Sequence, residues 1–428
     1  MNTQTDWTRG MMATMSRYLL VLGALALASC DTDVINPGSV DDESLTGQSA
    51  QPALVLGARR AMGQGMNFVA YTGAAVTREI HPAGSTGSFG ITQFWQNGIL
   101  DENDGDLDDH WELTHRARWV AEEAVRRIED AGPLNKNVQQ QAFLFAGFAN
   151  RILGDNMCEA VFDGGPAQPN ADYWTRAEDF FTKAIAVQTG DMATAAYAGR
   201  AQARVFLGKW NEAVADAANV PTAFVYNLPY FNVGEDTQRN RIFYAAGNTR
   251  ESGSAYRAHT QWNTWHYDYA QASNDPRVPI QITTLMGDAA IECCGRVPFY
   301  PENKHASSAA PIRLASGREM RLIEAEAKLR GGDVAGAIAG INAVRTAVGV
   351  ATVATTDATE AWRLLKRERG IELWLEGRRM GDLRRWKAAN TPGALDPLEQ
   401  PGAASHLAQQ DLCFPVSVSE RTTNPNFQ

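Results

Sequence analysis

Apolar residues recur at helical spacing along most of the chain. In "HWELTHRARWVAEEAVRRIEDAG" they fall at Trp111, Leu113, Ala117, Val120, Ala124 and Ile128, and the run stops at Gly132 and Pro133. That pattern predicts an amphipathic helix with a sharp end. "SLTGQSAQPALVLGARRAMGQG" precedes it with similar spacing, and "NVQQQAFLFAGFANRILGD", "YWTRAEDFFTKAIAV", "AAYAGRAQARVFLG" and "KWNEAVADAANV" follow. Between Pro221 and Pro311 the texture changes to short aromatic and β-branched runs broken by Asn, Gly and Pro, which predicts long loops and a small hairpin. Helical spacing resumes in "SGREMRLIEAEAKLRGG", in "DVAGAIAGINAVRTAVG" and in the highly charged "ERGIELWLEGRRMGDLRRWK". The chain therefore reads as mainly α with little β.

Two of the helical pairs share a plan. Gly208, Trp210 and Ala213 in "RVFLGKWNEAVADA" match Gly332, Val334 and Ala337 in "AKLRGGDVAGAIAGI". Each is a helix closing on Leu, a Gly at the turn, an apolar residue two later and an Ala three after that. This resembles the tetratricopeptide repeat, in which small residues let antiparallel helices approach closely. The repeats are scattered, which predicts a curved frame of helical hairpins carrying long loop-rich insertions.

Composition adds a compartment. Arg17, the apolar run "YLLVLGALALA" and then Leu27, Ala28, Ser29 and Cys30 read as a secretion signal. The run falls short of the roughly twenty residues that span a bilayer as a helix. "LASC" is similar to the bacterial lipobox, so Cys30 is expected to carry a lipid anchor after removal of residues 1–29, with translation starting at Met1 or at Met11, Met12 or Met15. No later segment has the length of an apolar span. The remaining cysteines, Cys158, Cys293, Cys294 and Cys413, are even in number in an exported chain; they allow three pairings, and sequence does not choose among them. Adjacent cysteines without C-x-x-C or H-x-x-x-H make a poor zinc set. A net charge of −10 without a basic tract excludes general affinity for nucleic acid.

The order of these features resembles the SusD/RagB family of outer-membrane nutrient-binding lipoproteins over nearly the whole mature chain. The likeness rests on the lipobox, the interrupted repeats and three further segments. One is Arg318 with Glu324 and Ala325. A second is Glu368, Arg369, Glu372, Leu373, Glu376, Gly377, Arg378, Asp382, Leu383, Arg385 and Trp386. The third is the closing Pro415, Glu420, Asn424, Pro425 and Asn426. "GDNMCEAVFDGG" and "IECCGR" depart from the family pattern. The resemblance implies a lipid-anchored extended leader at 30–43 and a single SusD-like domain at 44–428. Its helical frame would occupy 44–220 and 311–390, its loop-rich insertion 221–310 and its tail 391–428. It further implies a cell-surface protein without catalysis or cofactor, held to the membrane by its lipid alone. Such a protein captures an oligomeric nutrient, by default a glycan, for a SusC-like TonB-dependent transporter. A periplasm-facing helical-repeat scaffold without a small ligand is the alternative.

The densest aromatic stretch is "QWNTWHYDYA", with Trp262, Trp265, Tyr267 and Tyr269 among polar side chains. Sugar rings present C–H faces that pack on aromatic rings while their hydroxyls need polar partners, so these four are candidate ligand-binding residues. The competing reading is a strand that packs alternate aromatics on the frame. Trp95, with Gln93, Gln96 and Asn97 at the end of a Gly- and Ser-rich loop, is a further candidate or a buried loop anchor. The acidic loop at 101–109 lacks EF-hand spacing, although Asp104, Asp106 and Asp108 allow a looser calcium site. No H-E-x-x-H or G-x-S-x-G motif occurs. Glu372 and Glu376 are better explained by ion pairs three residues apart, Arg369 with Glu372, Glu376 with Arg379 and Asp382 with Arg385, than by glycosidase chemistry.

Overall fold

A computed structural model describes residues 41–84, 93–232, 238–247, 257–402 and 407–427. Chain contacts separate Met1–Leu45 from Thr46–Gln428. In the first unit the described residues hold one 3-10 turn, Asp42–Leu45. The lipid-attachment candidate Cys30 and the signal segment lie outside the described residues.

The second unit is a helical frame. Its helices are α1 Gln51–Val76, the short α2 Gln93–Gln96, α3 Asp108–Ala131, α4 Lys136–Asn156, α5 Ala171–Val187, α6 Asp191–Phe206 and α7 Trp210–Ala217. There follow α8 Trp265–Ser273, α9 Gly317–Arg330, α10 Val334–Ala347, α11 Ala358–Glu372, α12 Arg379–Ala388 and α13 Val418–Thr423. Neighbours in sequence pack as hairpins from α3 to α7 and again from α9 to α11, with α7 against α9 joining the two sets. Ends are fixed by side-chain caps: Asn135 accepts from Val138 N, Asp333 from Gly336 N and Asp357 from Glu360 N. Helix α1 runs past its amphipathic start and is buried almost all round from Met66 to Val76, which is why helical periodicity fades after Gly65.

The two repeat-like hairpins have the expected turns. Gly208 and Gly332 sit at φ 72° and 80°, left-handed backbone that suits glycine, and Ala213 and Ala337 are fully buried. The guanidinium of Arg330 lies 4.3 Å over the Trp210 ring and links one hairpin to the other. Elsewhere the Phe181 ring occupies the space beside Gly147 and Gly199, where an added Cβ would come within 2.7 Å and 2.3 Å of it.

The strands are short antiparallel pairs: β1 His81–Pro82 with β5 His259–Thr260, β2 Glu159–Ala160 with β3 Gln168–Pro169, and β4 Val225–Leu228 with β6 Ile312–Ser316. The β4–β6 pair closes both ends of the insertion onto the frame. Within the insertion, residues 280–302 form an irregular two-stranded arm through the bridges Ile280–Glu302, Met286–Pro298 and Ile291–Gly295. At its tip Cys293 and Cys294 are joined to each other and exposed, while Cys158 bonds to Cys413 and ties the C-terminal tail to the end of α4.

The charged stretch forms two helices with a break between them. Leu375 and Gly377 take φ 58° and 63°, and Ile371, Trp374, Leu375, Leu383 and Trp386 are all buried. The break changes the ion pairing expected from spacing. Asp382 and Arg385 do pair at 2.8 Å, but Arg369 bonds Asp382, Glu376 bonds Lys304 and Arg313, and Arg379 bonds Glu399. Residues three apart share a face only while the helix continues, so the turn at 373–378 parts Glu376 from Arg379, whereas Arg369 and Glu372 share α11 and still take partners from elsewhere in the fold. Glu372 receives Arg277, Arg313 and Arg318, and Glu368 receives Arg277 and Arg345. Insertion and frame are thus fastened by buried charge.

Candidate ligand-binding site

The stretch "WNTWHYDY" folds as the N-terminus of a helix rather than as a strand. The Thr264 hydroxyl accepts from Tyr267 N at 3.2 Å, and Asn274 closes α8 in left-handed backbone at φ 55°. Helical geometry sorts the aromatics differently from a strand. Trp265 and Tyr269, four apart, share the inner face and are 2% and 5% exposed. Tyr269 donates its hydroxyl to Asp275 at 2.6 Å. Trp265 stacks on His266, whose ring stacks on Trp374 and donates to Gly370 O at 3.1 Å. Burial lowers the His266 pKa well below the usual imidazole range, so it stays neutral.

Trp262 and Tyr267 remain half-buried. Trp262 covers the small apolar cluster of Ala83, Ile291 and Val297 and meets the His81 ring edge to face at 5.2 Å. Tyr267 stacks on Tyr300 with ring centroids 5.1 Å apart and planes 26° apart. The backbone holds the three rings in register. Gln261 N donates to Tyr300 O at 2.9 Å, and the Thr260 hydroxyl accepts from both Tyr300 N and Trp262 N. Tyr300 has no local sequence signal in "VPFYPEN"; only the fold of the arm brings it beside α8.

Behind this face lies a cavity of about 330 Å³ between α8, α11, α12 and the turn 394–400. Trp265, assigned to the ligand from sequence, lines it, together with Lys366, Arg367, Arg379, Asp396 and Glu399. Arg379 and Glu399 neutralise each other at 2.7 Å. Lys366 Nζ donates only to the carbonyls of Thr391 and Gly393, and burial pushes its ammonium down to about 8. The Arg367 guanidinium lies 5.0 Å over the Tyr269 ring. A second cleft of about 390 Å³ lies between Trp111, His115 and Trp119, with Trp119 52% exposed. Trp119 was not among the sequence candidates, because on α3 it reads as one more helical position.

Trp95 takes the second of its two sequence readings, the buried loop anchor. It is fully buried, donates its indole N–H to Asp104 at 3.0 Å and packs on His110, so it anchors the acidic loop instead of facing a ligand. Asp104 also accepts from Asp106 N, and Asp101 from Asn103 N, so the loop carboxylates bond within the loop. Among the described residues no three His, Cys, Asp or Glu side chains gather to hold a metal ion. Glu372 and Glu376 are both buried against arginines.

A model of the SusD family matches residues 226–417. Among solved structures, the chain is similar to a SusD superfamily protein from Parabacteroides distasonis at 11% identity and a TM-score of 0.66, covering 91% of this chain and 98% of that one. It is similar to surface glycan-binding protein A from Bacteroides uniformis at 14% identity and a TM-score of 0.60, covering 81% and 90%. A laminarin-binding SusD-like protein aligns at 15% identity and a TM-score of 0.57, covering 86% and 98%. No curated protein matches the chain in sequence.

Proposed function

Because the chain belongs to the SusD family through residues 226–417 and has the SusD-like fold, we propose that it captures glycans at the cell surface and passes them to a SusC-like TonB-dependent transporter. It does so as a lipoprotein anchored at Cys30 in the outer membrane, without chemistry of its own. One relative of the same fold is named a surface glycan-binding protein and another a laminarin-binding protein, which supports a sugar ligand. No helix among the described residues is long and apolar enough to cross a membrane, in keeping with a lipid tether.

The observation that carries this reading is the half-buried trio Trp262, Tyr267 and Tyr300, held by backbone bonds on a segment that buried charge fastens to the frame. Rings fixed in this way present apolar faces to sugar C–H groups at little entropic cost. Titration calorimetry over a panel of neutral oligosaccharides, laminarin fragments included, tests it. Trp262→Ala and Tyr267→Ala are each expected to weaken the best ligand about three- to tenfold. Unchanged affinity in both, with loss in Trp119→Ala, would move capture to the other cleft and overturn this site.

A further inference from the structure

The cavity behind α8 has a chemistry that a neutral sugar does not use. Its lining holds four cations and two carboxylates, and the one direct pair across it is Arg379 with Glu399. Arg363 is bound outward to Glu360 at 2.6 Å, and Asp396 caps the turn by accepting from Leu398 N. Two cations are left without a carboxylate. Lys366 donates to two backbone carbonyls and lies 5.7 Å over the Trp386 ring. Arg367 has no acid within ion-pair distance, and its buried Nε has no hydrogen-bond acceptor. The indole N–H of Trp265, in a side chain that is 98% buried, likewise lacks an acceptor in the protein. Buried donors without an acceptor are rare in folded proteins, and two of them beside the Lys366 ammonium on one wall mark a place built for an acceptor.

We infer that this cavity receives the oxyanion of an acidic sugar, the carboxylate of a uronic acid or a sulfate ester. Arg367 and Lys366 supply the positive charge, and the Trp265 N–H is the neutral donor. The inference rests on the glycan-capture reading and names the ligand class within it. Helix α8 carries both Trp265 in the cavity wall and Tyr267 at the aromatic face, so one short helix joins the two recognition elements. Guanidinium suits both oxyanions, because its planar fork binds two oxygens together. Asp396 lines the cavity and interacts with Asp268 on α8, where burial, and after it the repulsion from Asp396, raises the Asp268 pKa. They set a limit on charge density: one oxyanion fits the excess of cations, and a polyanion does not.

The test is calorimetry on the full-length protein in detergent with three galactan oligosaccharides of matched length: one neutral, one carrying a single terminal uronic acid and one carrying a single sulfate ester. Thermal unfolding with sodium sulfate alone runs beside it. One acidic probe is expected to bind about tenfold or more tighter than the neutral one, and which of them does so identifies the oxyanion. Arg367→Gln should erase that preference and Arg367→Lys should retain part of it; sulfate should raise the melting temperature of the wild type further than that of Arg367→Gln, whose rise is the general salting-out effect. Neutral and acidic probes binding alike, or an acidic preference untouched by Arg367→Gln, overturns the oxyanion site while leaving glycan capture standing. If no oligosaccharide binds but sulfate still stabilises through Arg367, the anion site stands and glycan capture falls.

Discussion

Glu79 follows α1 and is 1% exposed at the break between α11 and α12. Its Oε1 accepts from Leu375 N at 3.0 Å, its carbonyl accepts from the Trp374 indole, and Oε2 has no partner. Leu375 needs that support, since non-glycine residues in left-handed backbone are strained by about 1 kcal/mol or more. Burial outweighs the Leu375 hydrogen bond and the distant charges of Arg379 and Lys304, and pushes the carboxyl up to about 7 from 4.5. In the unfolded chain this group releases its proton near 4.5; in the fold it keeps it until about 7. Between those values the native state binds the extra proton, so stability falls as pH rises, and the loss is complete above about 7. The difference in pKa corresponds to about 3 kcal/mol, of which roughly 2 to 3 kcal/mol accrues between pH 5 and 8. Glu79→Gln keeps the acceptor for Leu375 N and removes the titration. Urea unfolding followed by tryptophan fluorescence at both pH values should show the variant gaining about that much on the wild type as pH rises. Taking the difference cancels the opposite slope of Asp382, Glu376 and Glu326, whose arginine partners hold them low and whose contribution is lost in acid. A gap between variant and wild type that does not change with pH would refute the reasoning.

Replacing Cys158 and Cys413 together by Ala frees a loop of 255 residues, which chain-entropy arguments value at up to about 5 kcal/mol; calorimetric melting should show the loss, and it should match the loss on reducing the wild type. Glu372→Gln leaves Arg277, Arg313 and Arg318 facing one charge fewer in a buried site and is expected to cost about 3 to 5 kcal/mol. Below its lowered melting temperature, measured by circular dichroism, the variant should bind glycan as the wild type does; lost binding in the folded variant would refute a purely structural role.

Where sequence and structure agree, a local rule decides. Gly208 and Gly332 need left-handed backbone and mark the two matched turns, and the apolar stripe from Trp111 to Ile128 lies along α3. Where they differ, a distant contact decides. Alternating aromatics at 265, 267 and 269 read equally well as strand or ligand face until the Thr264 cap and the Asn274 end make a helix that turns Trp265 and Tyr269 inward. Gly377 signalled a bend, but nothing local told that Glu376 would reach Lys304 and Arg313 across the fold. Trp95 and Trp262 are similar in sequence, each an aromatic next to Gln and Asn. Only the packing of His110 and Asp104 against one, and of a small buried apolar cluster beneath the other, separates anchor from platform.

The arm at 280–302 enters and leaves the frame between two salt-bridged feet, Arg277 on Glu368 and Glu372, and Lys304 on Glu376. The ion pairs of the feet lie outside 280–302, so insertions or deletions at the exposed Cys293–Cys294 tip change what lies beside Trp262 while those pairs stay in place. Ligand preference can therefore diverge between related proteins by swapping one segment while the scaffold that carries it stays fixed.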